Sequence, residues 1–129
     1  MSNPIRDYLG VHAAALPLRE QRMQLIASNL SNADTPNYKA KDLNFQAVLE
    51  NAAARQAAPL QTTDGRHLNG LEFGPQIFER QGVQPSLDGN TVDADTERAA
   101  YGRAALEYRA SLSFIESKVR TMLTAITGQ

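Results

Sequence analysis

Residues able to do chemistry are few and scattered in this chain. Its two histidines, His12 and His67, are too few for a histidine cluster. The absence of cysteine removes disulfides, thiolate metal sites and cysteine nucleophiles. Asp88-Gly89-Asn90 begins like a calcium loop, but the pattern then fails. Val92 and Asp93 stand where an oxygen ligand and a glycine are required, and Ala99 where a bidentate glutamate would close the loop. Asn29-Leu30-Ser31 has the spacing of a glycosylation acceptor but falls inside a helical pattern. There is no glycine-rich phosphate loop and no suggestive grouping of serine, histidine and acid. An enzyme is therefore not expected, and neither is a metal, a cofactor or a small-molecule substrate. A net charge of −1, no Trp and four Tyr leave no electrostatic footprint for nucleic acid.

What the sequence does carry is apolar periodicity. Ile5, Leu9, His12, Leu16, Arg19, Met23, Ile26, Leu30 and Ala33 alternate spacings of four and three, which predicts a helix with a coiled-coil-like seam. Pro17 interrupts the hydrogen-bond ladder, so a kink or break is expected over residues 13–16. Tyr101, Ala105, Tyr108, Leu112, Ile115, Val119, Met122 and Ile126 repeat the same spacing at the other end of the chain. Asp93, Asp95 and Glu97 precede them, where carboxylates favour a helix N-terminus, and Gly128 follows as a stop. The expected fold is mainly α, with long terminal helices paired as an antiparallel coiled-coil-like hairpin. Residues 1–33 and 93–129 would form one discontinuous helical domain, and residues 34–92 a loop-rich middle.

That hairpin leaves apolar side chains over. Val11, Leu18 and Leu25 repeat every seven residues off the first seam, and Leu106, Phe114 and Leu123 lie off the second. Apolar residues make up 42% of the chain, but nineteen of them are alanine, so a self-contained core would be thin. Val11, Leu18, Leu25 and Phe114 are therefore expected to be covered by other chains or by the middle segment, other chains being the favoured reading. No apolar run is long enough to cross a membrane. Tyr8 to Leu18 looks superficially like a secretory core behind Arg6, but Asp7, His12 and Pro17 interrupt it. No cleaved signal is expected, and the default location is cytoplasmic unless export takes another route.

In the middle, a short helix is expected over residues 44–55. Turn signals follow at Asp64-Gly65, Asn69-Gly70, Gly74-Pro75 and Asp88-Gly89. An extended piece near Gln76 to Arg80 would form a hairpin or lie on a neighbour. The most distinctive stretch closes the first helix: Asn29-Leu30-Ser31-Asn32-Ala33-Asp34-Thr35-Pro36-Asn37-Tyr38. Pro36 suits the first central position of a turn, and Asn37 tolerates the positive φ that a type II turn needs at the second. Asn29 and Asn32 carry amides able to bond backbone groups at the helix end or in an adjacent subunit.

The sequence Asn29-Leu30-Ser31-Asn32, then Thr35-Pro36 and Tyr38, resembles the signature of bacterial flagellar axial proteins, the rod, hook and hook-associated family. That family usually has Gly where this chain has Asn37. Asp34-Thr35-Pro36 with Tyr38-Lys39-Ala40, Asp42 and Phe45 is similar to its proximal rod members. So is Gln84-Pro85-Ser86-Leu87-Asp88-Gly89-Asn90-Thr91-Val92-Asp93 with Asp95, Glu97 and Arg98. The short middle differs from hook proteins, which carry large inserted domains.

The resemblance implies a structural subunit whose terminal helices pack beside those of neighbours around a central export channel. Implied partners are other copies, rod proteins of the C, F and G types, rod base protein E and the inner-membrane ring. Implied too is a place in the periplasmic rod of the basal body, reached through the flagellar type III export apparatus without a cleaved signal. Phe45 and Leu49 resemble a short hydrophobic export-gate signal, and equally suit one face of a short helix. The competing reading is a stand-alone coiled-coil adapter or export chaperone, which would have no need of the turn motif. A cell-wall enzyme would need placed carboxylates in a rigid cleft, which the irregular middle does not offer.

Overall fold

The structure, a computed structural model, describes residues 4–57, 77–82 and 86–128. Three of the expected turns, Asp64-Gly65, Asn69-Gly70 and Gly74-Pro75, lie outside the described residues. The elements run α1 (Pro4–Ser31), β1 (Lys41–Leu43), α2 (Phe45–Ala57), β2 (Ile77–Glu79) and α3 (Ala94–Thr127). The fold is mainly helical, with the two long terminal helices in contact along their lengths. The extended piece after the described gap is no local hairpin. β2 pairs antiparallel with β1, Lys41 opposite Glu79 and Leu43 opposite Ile77, so the ribbon joins distant parts of the chain.

Four contacts set the register of the helical pair. Tyr8 meets Lys118, His12 meets Phe114, Arg19 meets Glu107 and Asn29 meets Glu97. Each step forward along α1 is matched by an equal step backward along α3, as antiparallel packing requires. The contacts are chemically unlike. His12 and Phe114 stack with ring centroids 3.9 Å apart, and Arg19 reaches Glu107 at 2.7 Å. The two polar interruptions of the first seam are thus both used across the pair.

The contact line differs from the seam expected. Within α3 the buried residues are Glu97, Ala104 and Ser111; on α1 the buried ones are Ala15, Ile26 and Asn29. His12, Arg19 and Ile26 belong to both lines. Leu16 gives way to Ala15, Leu30 to Asn29, and Leu112 to Ser111. The physical reason is close approach: small side chains let two helix backbones come near one another, and the buried polar partners then meet directly. Leu9, Leu16, Met23, Leu30, Tyr108, Leu112, Ile115 and Met122 are left half-buried on the flanks. Tyr101, Val119 and Ile126 are exposed, Ile126 by 75%.

The break in α1 also falls elsewhere than expected. Residues 13–16 keep helical dihedrals and Pro17 sits within the helix, while Gly10 is the non-helical residue, with φ 57° and ψ −142°. Pro17 is already set to a helical φ and removes a single donor. Gly10 has no Cβ and enters a region closed to other residues. A residue so placed releases carbonyls of the preceding turn, and Lys118 Nζ donates to one of them, that of Tyr8, at 2.9 Å.

α3 matches its expected bounds. Asp93 is extended and caps it, accepting from the backbone N–H of Asp95 at 3.0 Å and of Thr96 at 3.1 Å. Gly128 closes it, donating to the Thr124 carbonyl at 2.9 Å. The Thr96 N–H, followed by that of Asp95, holds the Asp93 carboxyl below its ordinary value. A depressed folded value means that the cap's stabilisation is present above the unfolded carboxylate's pKa. It is lost as pH falls through the folded one. Helix content followed by far-ultraviolet circular dichroism is expected to fall at the acid end of a titration. Asp93→Asn keeps the cap at neutral pH and flattens that acid limb.

Candidate functional site

Two structural features stand where an active site would in an enzyme: a polar junction at the closed end of the hairpin, and an apolar surface that the junction orients. Among the described residues no cluster of acidic or histidine side chains is placed to hold a metal.

The junction begins with Asn29, which is fully buried. Its Oδ1 accepts from Lys41 N at 2.9 Å and from Tyr38 OH at 3.3 Å. Its Nδ2 donates to the Lys41 carbonyl at 2.8 Å and to Glu97 Oε2 at 3.3 Å. All four hydrogen-bonding positions of the amide are filled. Asn29 treats Lys41 as a neighbouring strand would, so one edge of β1 is closed by a side chain and the other by β2. Glu97, only 2% exposed, receives Arg80 on its other oxygen. Arg80 Nε also lies 4.0 Å from Asp42, which Arg22 grips through Nε at 3.0 Å and Nη2 at 3.3 Å. Two carboxylates and two guanidinium groups thereby tie α1, both strands and α3 together.

A second set of bonds interlocks the two sequence motifs. Thr35 to Tyr38 form a turn closed by Tyr38 N on the Thr35 carbonyl at 3.3 Å, with Asn37 at φ 60°. Asn37 N donates to the Asp88 carbonyl at 2.8 Å, and Thr91 N to that of Tyr38 at 3.1 Å. The amide of buried Asn90 reaches three carbonyls beyond the end of α1: Asn32 at 2.9 Å, Ala33 at 2.8 Å and Thr35 at 2.9 Å. These carbonyls belong to the turn that follows the helix, and a residue far along the chain supplies their donor. Asn32 remains local, donating to the Ser28 carbonyl at 2.8 Å and accepting from Thr35 Oγ1 at 3.1 Å. Gly89 faces Asn37 so closely that a Cβ would lie 2.6 Å from its Oδ1.

Sequence reasoning placed Asn29, Asn32, Thr35, Pro36, Asn37 and Tyr38 at this turn, and they are brought together there with Asp88, Gly89 and Asn90. It missed the structural parts of Arg22, Asp42, Arg80, Glu97 and Asn90. Glu97 lies with Asp95 in the first turn of α3, as its spacing predicts, but its carboxylate is turned to Asn29 and Arg80 while that of Asp95 pairs with Arg98 at 2.7 Å. The available signal was the seven-residue spacing from Glu97 through Ala104 to Ser111.

The apolar residues expected to meet other chains fall in different settings. Val11 and Phe114 are exposed, Phe114 while stacked on His12. Leu18 and Leu25 are half-buried, on the flank of α1 that also carries Arg22 and Asn29 toward the ribbon. Phe45 and Leu49 are half-buried on α2, with the Arg19 guanidinium 4.8 Å from the Phe45 ring centre.

A helical hairpin locked at one end, with large apolar side chains on its outside, is the form of an axial assembly subunit. A family model described as flagella basal body rod protein matches residues 9–39, which cover most of α1 and the turn beyond it. Flagellar basal body rod protein FlgB of Cereibacter sphaeroides (strain ATCC 17029 / ATH 2.4.9) is 42% identical over 126 residues, covering 96% of this chain and 97% of the relative. The protein of the same name from Aeromonas hydrophila is 41% identical over 122 residues, 93% and 92% of the two chains. That from Escherichia coli (strain K12) is 37% identical over 120 residues, 87% of each. The chain belongs to the FlgB family of flagellar basal body rod proteins.

The interlock predicts a non-additive pair of substitutions. Gly89→Ala is expected to destabilise the fold by about 1–3 kcal/mol, from positive φ and from the clash with Asn37. Asn37→Gly alone should be tolerated, while Asn37→Val, β-branched at positive φ, should not. In the double variant Asn37→Gly with Gly89→Ala the clash is gone and only the backbone cost remains. Denaturant midpoints should therefore show less than the sum of the single effects.

Proposed function

We propose that this chain is a structural subunit of the proximal flagellar rod, held by helix packing against other copies and against rod proteins of the C, F and G types. The observation that carries the reading is the use of side chains. Apart from Ile26, the buried residues between the two helices are small or polar, while Leu106, Phe114, Leu123 and Ile126 are left outside. Burying such a side chain against a neighbour contributes about 1.5–3 kcal/mol, repeated in every subunit. Torque would then pass through many packed contacts around the export channel, with no residue acting as a catalyst. Rod base protein E and the inner-membrane ring are the proposed neighbours at the proximal end, in the periplasm.

Export through the type III apparatus is part of the same proposal. Phe45 and Leu49 would serve as its gate signal; both are half-buried, Phe45 beside Arg19, so the gate would engage them before α2 has settled on α1.

Deletion of the gene is expected to abolish swimming and rod extension, and the parent chain to restore both. Val11→Asp should be secreted at the parental level yet fail to extend rods. On a solvent-facing site that change is worth within about 0.5 kcal/mol, so normal swimming would leave this flank uncovered. Phe45→Ala with Leu49→Ala should cut secretion while leaving the helix content of the purified chain unchanged.

A further inference from the structure

Two faces of the hairpin carry complementary groups, an apolar-lined groove with a carboxylate and an exposed leucine with a guanidinium, and they point in different directions. The first is a groove of about 310 Å³ on the flank of α1, lined by Glu20, Met23, Gln24 and Ala27 and by Tyr101 and Tyr108 of α3. Met23, Ala27 and the two tyrosines give it apolar lining, and Glu20 brings a carboxylate to it. Glu20 is exposed and makes no ion pair among the described residues.

The second face is the side of α3 turned away from α1. There Leu106 stands 70% exposed. Its neighbours four residues to either side on the helix face, Gly102 and Ala110, are small, so the leucine projects as a knob. Arg103 and Arg109, three residues to either side, flank it. Arg103 is engaged with Glu107 at 3.2 Å, whereas Arg109 is exposed and makes no ion pair among the described residues.

We infer that the Leu106 knob of one copy seats in the tyrosine-lined groove of the next, with Arg109 meeting Glu20. Within one chain the two faces cannot meet, because they lie on different sides of the same hairpin. Between copies the contact joins two unlike patches, and a repeat of that kind generates an open helical stack and not a closed two-fold dimer. The two tyrosines suit both partners. They give apolar area to the leucine and ring faces to the guanidinium. The inference rests on the proposed rod function and adds to it the pair of faces through which identical copies join.

The chain has no cysteine, so a cross-link can be placed cleanly. The variant Gln24→Cys with Ala110→Cys, which keeps Leu106, in the full chain expressed in its own cells, is expected to give disulfide-linked homo-oligomers on mild oxidation. Either cysteine alone should give none beyond background. In the parent chain without cysteines, Glu20→Arg and Arg109→Glu should each reduce rod assembly by about tenfold, and the two together should restore most of it. Cross-links only to proteins of another size, or additive losses in the double reversal, would overturn the inference. Normal rod assembly in either single reversal would do the same. Failure of the rod reading itself is seen separately, as normal swimming in the deletion strain.

Discussion

The structure turns on the side chain of Asn29, a neutral amide fully buried between two helices and a strand. An amide placed there must have all its polar atoms paired, because an unpaired buried group costs about 1–3 kcal/mol. That demand fixes three things at once. Lys41 must present both its N–H and its carbonyl to α1, Tyr38 must lie over the end of the helix, and Glu97 must face the amide from α3. Once Asn29 meets Glu97, the antiparallel register of the pair is set as far as Lys118 and Tyr8. The coupling also runs outward, because Glu97 holds Arg80 and thereby the second strand of the ribbon.

A junction of this kind separates two tasks that a small all-helical chain otherwise mixes. Specificity of pairing resides in polar contacts at the closed end and in small residues along the line of contact. Apart from Ile26, which is buried on that line, the large apolar side chains are then not needed to hold the two helices in place. Leu106, Leu123 and Ile126 are exposed by 70%, 55% and 75% and remain available for burial between chains. Such a hairpin gains much of its hydrophobic stabilisation only on assembly. This suits a subunit of the FlgB family, whose chain is proposed to be exported before it is built into a rod.

The open end of the hairpin has a different character. Gly10 turns the first residues out of the helical line, and Lys118 takes up a carbonyl of that turn while lying 5.2 Å from the Tyr8 ring and 5.4 Å from the Phe114 ring. The last turns of α3 extend past this point with Leu123 and Ile126 exposed. Polar interlock at one end and apolar exposure at the other give the hairpin a direction, which an assembly of like-oriented subunits requires.

By itself the sequence determined the two long helices, their approximate bounds and the turn after the first. Heptad spacing, the Asp93 cap and the stop at Gly128 are local signals, and Pro36 with Asn37 specifies its backbone within a few residues. The composition also excluded the chemistry of cysteine and histidine clusters. Only the tertiary structure decided which face of each helix is turned inward. Periodicity ranks residues by apolarity and assigns Leu16, Leu30 and Leu112 to the inside. Close approach of two backbones selects Ala15, Asn29 and Ser111, whose size and hydrogen bonds matter more at short range. The pairing of β1 with β2 and the bonding of Asn90 to the turn after α1 were equally out of reach of local reading. Their partners lie far apart in the chain, and no spacing rule connects an amide ahead of α3 to the carbonyls of the turn that follows α1.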